Sequence, residues 1–168
     1  MKKIKLFITA LILTIGTSSV LTAQEVAHIN SQELIAAMPE MKAAQSQLEK
    51  LRKTYDTEIK NMMKEFETKY KQYEGEAATK TEEENAKRAQ EIQTMQNNIA
   101  AYRDEAVKKL QQKEADLLQP VLDKAKQAIQ KVARAQGFKY VLDSSQGSGV
   151  IMAEGKDLLN DVKKDLGI

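Results

Sequence analysis

The stretch Glu74-Gly75-Glu76-Ala77-Ala78-Thr79-Lys80-Thr81-Glu82-Glu83-Glu84 decides the fold, because a long helical pattern must turn back on itself there. Gly75 is the only glycine between Gly16 and Gly137, and a helix interior holds glycine poorly. Thr81 stands three residues before Glu84, the spacing of a capping box with Thr81 as N-cap and Glu84 at N3. These signals predict that one helix fails around Glu74-Gly75-Glu76 and that the hairpin tip lies near 75–81. Toward the N-terminus, Leu48, Leu51, Tyr55, Ile59, Met62, Phe66, Tyr70 and Tyr73 recur at steps of three and four, which makes one apolar stripe on a helix. Toward the C-terminus, Ile92, Met95, Ile99, Tyr102, Ala106, Leu110, Leu117, Val121, Ala125, Ala128 and Val132 carry on that spacing, with Lys113 or Glu114 interrupting one turn. Two striped helices with a short connection pack antiparallel. The hairpin is expected over 39–136, with arms of ~50 and ~80 Å if straight. Pro39 suits a first helical turn, and Pro120, inside the returning helix, is expected to kink it. These two prolines are the expected hinge points.

What flanks the hairpin reads as a small head. Val26-Ala27-His28-Ile29 is a strand, and 30–38 forms a short separate helix, because the residue before a proline is pushed out of the helical region. Gly137 ends the long helix as a C′ residue. Phe138 to Asp143 is the next expected strand, with Phe138, Tyr140 and Leu142 on one face. Ser144 to Gly149 is turn chemistry, and Val150-Ile151-Met152-Ala153 is expected to return as the second strand of a hairpin. Leu158, Leu159, Val162 and Leu166 line one side of a short terminal helix able to cover the sheet. The chain is therefore α+β and mostly α, with the hairpin inserted into a head formed by 24–38 and 137–168. A head of that size without disulfide or metal is marginal alone, and self-association is the simplest remedy.

The first residues are basic and Leu6 to Val20 is an apolar run of about 15 residues, short for a membrane span but suited to a cleaved export signal over 1–23. Losing Lys2, Lys3 and Lys5 turns the formal charge of +2 into −1. A nearly neutral chain matches nucleic acid poorly, so no nucleic-acid partner is expected. The absence of cysteine rules out disulfides and thiolate metal sites, as well as a lipid anchor after the apolar run.

With these pieces in place, the exported chain resembles the Skp/OmpH family of periplasmic chaperones. The resemblance is carried by Val26-Ala27-His28-Ile29-Asn30 and by the run from Leu117-Leu118-Gln119-Pro120 to Gly137-Phe138-Lys139-Tyr140-Val141-Leu142-Asp143. Gly149-Val150-Ile151-Met152-Ala153 and Asp157-Leu158-Leu159-Asn160-Asp161-Val162 carry the rest. It implies a homotrimer with a β-rich body and three helical hairpins hanging as tentacles around a cavity. The implied activity is ATP-independent holding of unfolded outer-membrane β-barrel proteins in the periplasm. In line with this, the chain has no phosphate-binding glycine loop. It departs from the family's basic tentacles in one respect. Residues 39–136 carry 19 Lys or Arg against 17 Asp or Glu, and 69–84 has three Lys against five Glu. Client grip should therefore depend more on apolar contact, and contact with a membrane surface should be weak.

No enzyme constellation, cofactor or metal site is expected. His28 is the only histidine, Glu82-Glu83-Glu84 suits a helix start, and Ser144, Ser145 and Ser148 lack catalytic context. Candidate client contacts are Met62, Met63, Phe66, Tyr70, Tyr73, Met95 and Tyr102, adaptable apolar groups whose plainer role is the hairpin seam. Met63 lies off the stripe and is the better candidate. Candidate oligomerisation residues are Val26, Ile29, Phe138, Tyr140, Leu142, Val150 and Ile151. The alternative function is a structural or adaptor coiled coil of the envelope that binds one defined folded partner.

Overall fold

The computed structural model describes residues 26–168, so the expected signal segment 1–23 and the start of the head at residue 24 lie outside the described residues. The elements run β1 (Val26–Ile29), α1 (Ser31–Ala37), α2 (Pro39–Glu76), a 3-10 turn (Ala77–Thr79), α3 (Glu82–Ala135), β2 (Tyr140–Asp143), β3 (Lys156–Asp157) and α4 (Leu159–Leu166).

Local chemistry explains most of the boundaries. Asn30 Oδ1 accepts the Glu33 N–H at 3.0 Å and so caps α1. Met38, held before a proline, is extended at φ −66° and ψ 131°, and Pro39 opens α2 at its first position. The helix ends within the stretch Glu74-Gly75-Glu76 where it is expected to fail, and the turn falls inside 75–81. The helix runs through Gly75 to Glu76, since one glycine costs only about 1 kcal/mol of helix propensity and Glu76 is held from both sides. Gln72 and Arg88 donate to its carboxylate at 3.0 and 2.7 Å. The reversal falls on Ala77–Thr79, where the Thr79 hydroxyl donates to the Glu76 carbonyl at 2.7 Å and the Asn85 amide donates to the Ala77 carbonyl at 2.9 Å. Thr81 then caps α3, its hydroxyl accepting the Glu84 N–H at 3.2 Å, as the sequence predicts.

Helix α3 is 54 residues long and continues through Pro120, whose ring is exposed. It stops with a Schellman motif. Gly137 takes φ +82°, its N–H donates to the Arg134 carbonyl at 3.1 Å, and the Phe138 N–H reaches back to the Ala133 carbonyl at 2.9 Å. Phe138 therefore belongs to the helix cap rather than to the strand, which begins only at Tyr140.

The sheet differs from expectation more deeply. Its order is β2-β1-β3 and both pairings are parallel, with Val26 opposite Tyr140, His28 opposite Leu142, and His28 also opposite Asp157. Val150-Ile151-Met152-Ala153 forms no strand and no hairpin with β2; the third strand is Lys156–Asp157, on the far side of β1. A parallel neighbour must be entered from the same end as the strand before it, so the chain has to travel back over the sheet, and that takes about a dozen residues. Residues 144–155 make this crossing, with Gly147 and Gly149 both at φ +86°.

Alternation along β1 puts Ala27 and Ile29 on the buried side. They pack with Leu34 and Met38, with Val121, Ala125, Ala128 and Val132 of α3, and with Leu158 and Val162 at α4. The core thus recruits the base of the long helix. Beyond it the two arms close through a narrow seam containing Ala44, Ile99 and Ala106. The antiparallel register is marked by an edge-on Tyr55–Tyr102 contact with ring centroids 6.0 Å apart.

Candidate functional site

Two surfaces stand out, one along the arm and one on the head. On the arm, the candidates Met62, Phe66, Tyr73, Met95 and Tyr102 are half-buried in the seam, where the three-four spacing places them. Met63 and Tyr70 instead lie outside it, 39% and 48% exposed, with Val107 of the opposite arm at 54%. Seven residues separate Met63 from Tyr70, so they share one flank of α2. Phe66 stacks on Tyr70 at 6.0 Å, and the Arg103 guanidinium approaches the Met63 sulfur at 3.0 Å across the hairpin.

Near the tip, a polar cluster replaces the apolar seam. Lys69 pairs with Glu91, whose other oxygen accepts the Tyr73 hydroxyl at 2.5 Å. Arg88 lies 4.6 Å over the Tyr73 ring and holds Glu76 at 2.7 Å. The Glu91 carboxyl is held below its ordinary range by Lys69 first and Tyr73 second, while the Tyr73 hydroxyl is pushed up by the same carboxylate. Sequence reasoning passed over this cluster. Its signal was Lys69 itself, a charged residue at a seam position three after Phe66 and four before Tyr73. Such paired polar groups inside a seam favour one register over its neighbours.

On the head, the outward face of the sheet carries Val26, Tyr140 and Leu142, with Met152 beside Val26 and Leu142, all exposed; Tyr140 is 63% exposed, and Ile151, in the segment between β2 and β3, is fully open to water. Val150 is half-buried. Ile29 is committed to the head's own core, and Phe138 packs against that core, so neither shares the open face. The alternation of β1 separates Val26 from Ile29, a distinction the sequence already held. His28 points toward the open face, where the Ser144 hydroxyl lies 3.5 Å from its Nδ1. At the other end of β2, Asp143 pins the strand to α1. It accepts from the Ser31 N–H at 3.2 Å, the Ser31 hydroxyl at 2.5 Å and the Ser145 N–H at 2.9 Å. Burial works to raise the Asp143 pKa, but the Ser31 and Ser145 hydrogen bonds outweigh it and hold it low.

Among the described residues, no group of three or more metal-ligating side chains is placed to hold an ion, and no helix is long and apolar enough to cross a membrane.

Fold and surfaces together define a class: a small α+β head from which a long antiparallel helical hairpin projects. The family model for outer membrane protein (OmpH-like) matches residues 25–166, and the chain belongs to that family. Among solved structures it is similar to an OmpH-like candidate outer membrane chaperone from Caulobacter crescentus, at 19% identity and a TM-score of 0.77. The match covers 85% of this chain and 83% of the other, and at that identity it is a likeness of fold. Comparison with curated proteins gives no match.

Proposed function

We propose that the protein is an ATP-independent holdase of the periplasm, which keeps unfolded outer-membrane β-barrel proteins from aggregating between the hairpins of a homotrimer. The observation that carries this reading is the separation of arm from core. The hairpin reaches far beyond the head's apolar cluster and still exposes Met63, Tyr70 and Val107. A structural strut needs no such residues off its seam, whereas a surface for varied apolar chains does.

The open head face supports the trimer. Val26, Tyr140 and Leu142, with Met152 beside them, form an apolar face on a three-stranded sheet with two free edges, the kind of surface a second copy covers. Three arms then hold one client through many weak contacts, so that affinity arises from multiplicity. Release needs no nucleotide when folding of the client into the membrane is downhill.

The test is light scattering by several unrelated β-barrel proteins diluted from urea, with and without the purified chain and without ATP. Suppression at equimolar trimer for all of them is expected. Suppression for none at molar excess, or capture of one folded partner alone, rejects the holdase.

A further inference from the structure

Of the four methionines in the hairpin, Met41, Met62 and Met95 are half-buried and Met63 is exposed, at 39%. The Met63 sulfur accepts from the Arg103 guanidinium at 3.0 Å, a contact that joins the two arms. We propose that this pair is a redox-responsive clasp: a hydroperoxide converts Met63 to its sulfoxide, Arg103 holds the new oxygen, and the grip on client weakens. The inference rests on the holdase reading and names a regulation of its apolar surface.

A thioether sulfur is a weak acceptor, so the guanidinium gains little from it as it stands. A sulfoxide oxygen carries partial negative charge, and a hydrogen bond from a charged donor is about twice as strong as a neutral one. Arg103 is available for that bond. It makes no ion pair among the described residues, and the residues one turn away on its own helix, Ile99, Ala100, Ala106 and Val107, carry no acid. On α2 the charged residues one turn from Met63 are Lys60 and Glu67. Both are exposed and neither is in an ion pair among the described residues, so Glu67 does not claim the guanidinium. The step balances with one peroxide. The sulfur attacks one peroxide oxygen with a lone pair, the O–O bond breaks as the S–O bond forms, and the second oxygen leaves as water with both peroxide protons. Sulfur is oxidised by two electrons and the peroxide is reduced by two.

Position turns this chemistry into a control of grip. Tyr70 lies two turns toward the tip on the same flank of α2, and Val107 lies one turn from Arg103 toward the head, so Met63 and Arg103 bridge the exposed apolar residues of the two arms. Oxidation sets a polar, hydrated group in the middle of that row. An apolar client residue then has to displace water from it. A loss of about three-fold per arm compounds to roughly thirty-fold over three arms acting together. Met152, at 72% the more exposed methionine, lies on the head beside Val26 and Leu142, away from the arm surface.

The experiment treats the full mature chain with hydrogen peroxide and locates sulfoxide by peptide mass spectrometry. Among the hairpin methionines, Met63 should oxidise before Met62 and Met95. Affinity for a labelled fragment of a β-barrel protein that stays unfolded should fall by roughly thirty-fold, and a methionine sulfoxide reductase with a dithiol should restore it. Met63→Leu, at an exposed position, should keep its affinity through the same treatment, although Met152 still oxidises in it. Arg103→Gln reads the clasp itself. Hydrogen exchange around Tyr55 to Phe66 should slow by about three-fold on oxidation of the unsubstituted chain and stay unchanged on oxidation of Arg103→Gln. Earlier oxidation of Met62 or Met95, an equal loss of affinity in Met63→Leu, or unchanged exchange in the unsubstituted chain overturns the proposal. Aggregation suppression on the same preparations separates the two ideas. Equal suppression before and after peroxide removes the switch and leaves the holdase; no suppression before peroxide removes the holdase, while the sulfoxide map and the exchange rates still decide the clasp.

Discussion

Leu158 ties the head together at the point where sheet meets terminal helix. Its side chain is completely buried, its N–H donates to the His28 carbonyl at 3.0 Å, and its carbonyl accepts the Val162 N–H at 2.9 Å. Leu158→Ala removes buried methyl groups from a cluster that cannot fully collapse, and such changes cost about 2.7–5 kcal/mol. Taking ~3 kcal/mol, the loss is a large share of the 5–15 kcal/mol that holds an ordinary domain. Native-state hydrogen exchange read by mass spectrometry localises the effect. Amides of β1 and β2 should exchange about a hundred-fold faster, since each ~1.4 kcal/mol is a factor of ten. Amides around Tyr55 to Phe66 and Met95 to Ala106 should change by less than about three-fold, because the arm seam is packed apart from the head cluster. Less than about ten-fold acceleration at the sheet, or equal acceleration in the arm, refutes the separation of head core from arm seam.

Further outcomes follow from particular residues. Gly137→Ala meets no atom within 4 Å, so its cost is that of holding a side-chain residue at φ +82°, about 1 kcal/mol in urea denaturation; a neutral result counts against the Schellman cap. The Asp143 pKa is held below its unfolded value, so the stability it contributes is present above about pH 4 and is lost as pH falls through the folded value. Asp143→Asn should flatten that acid limb by no more than about 1 kcal/mol, given the exposure of the site, and an unchanged limb contradicts the pin to α1. Leu142→Asp and Ile151→Asp, at exposed positions, should lower the mass measured by sedimentation while leaving helicity intact; an unchanged mass in both variants removes the open face as the assembly surface.

The hairpin was readable because its determinants are local. The three-four stripe, the Thr81 cap and the Gly137 stop each act within one or two helical turns. Gly75 marked the end of the first arm to within a residue, and the stop at Glu76 is supported by the contacts that Gln72 and Arg88 make with Glu76, Arg88 coming from the other arm. The third strand was misplaced because partner choice in a short sheet depends on topology. Val150 to Ala153 has strand-like composition, yet β2 keeps its outer edge free and the pairing goes to Lys156–Asp157 across β1. The sorting of charge is likewise invisible in a count. Only the hairpin register shows that Glu76 meets Arg88 and Glu91 meets Lys69, whereas Glu83–Lys87 and Glu84–Lys80 are four-residue pairs that sequence spacing already offers.

We propose that three hairpins act together on one unfolded client. Native mass measurement of the chain mixed with a single urea-diluted β-barrel protein tests it in one spectrum. A complex of three mature chains with one client, formed without nucleotide, is expected. A client carried by a single chain, or trimers that leave the client free, contradicts it.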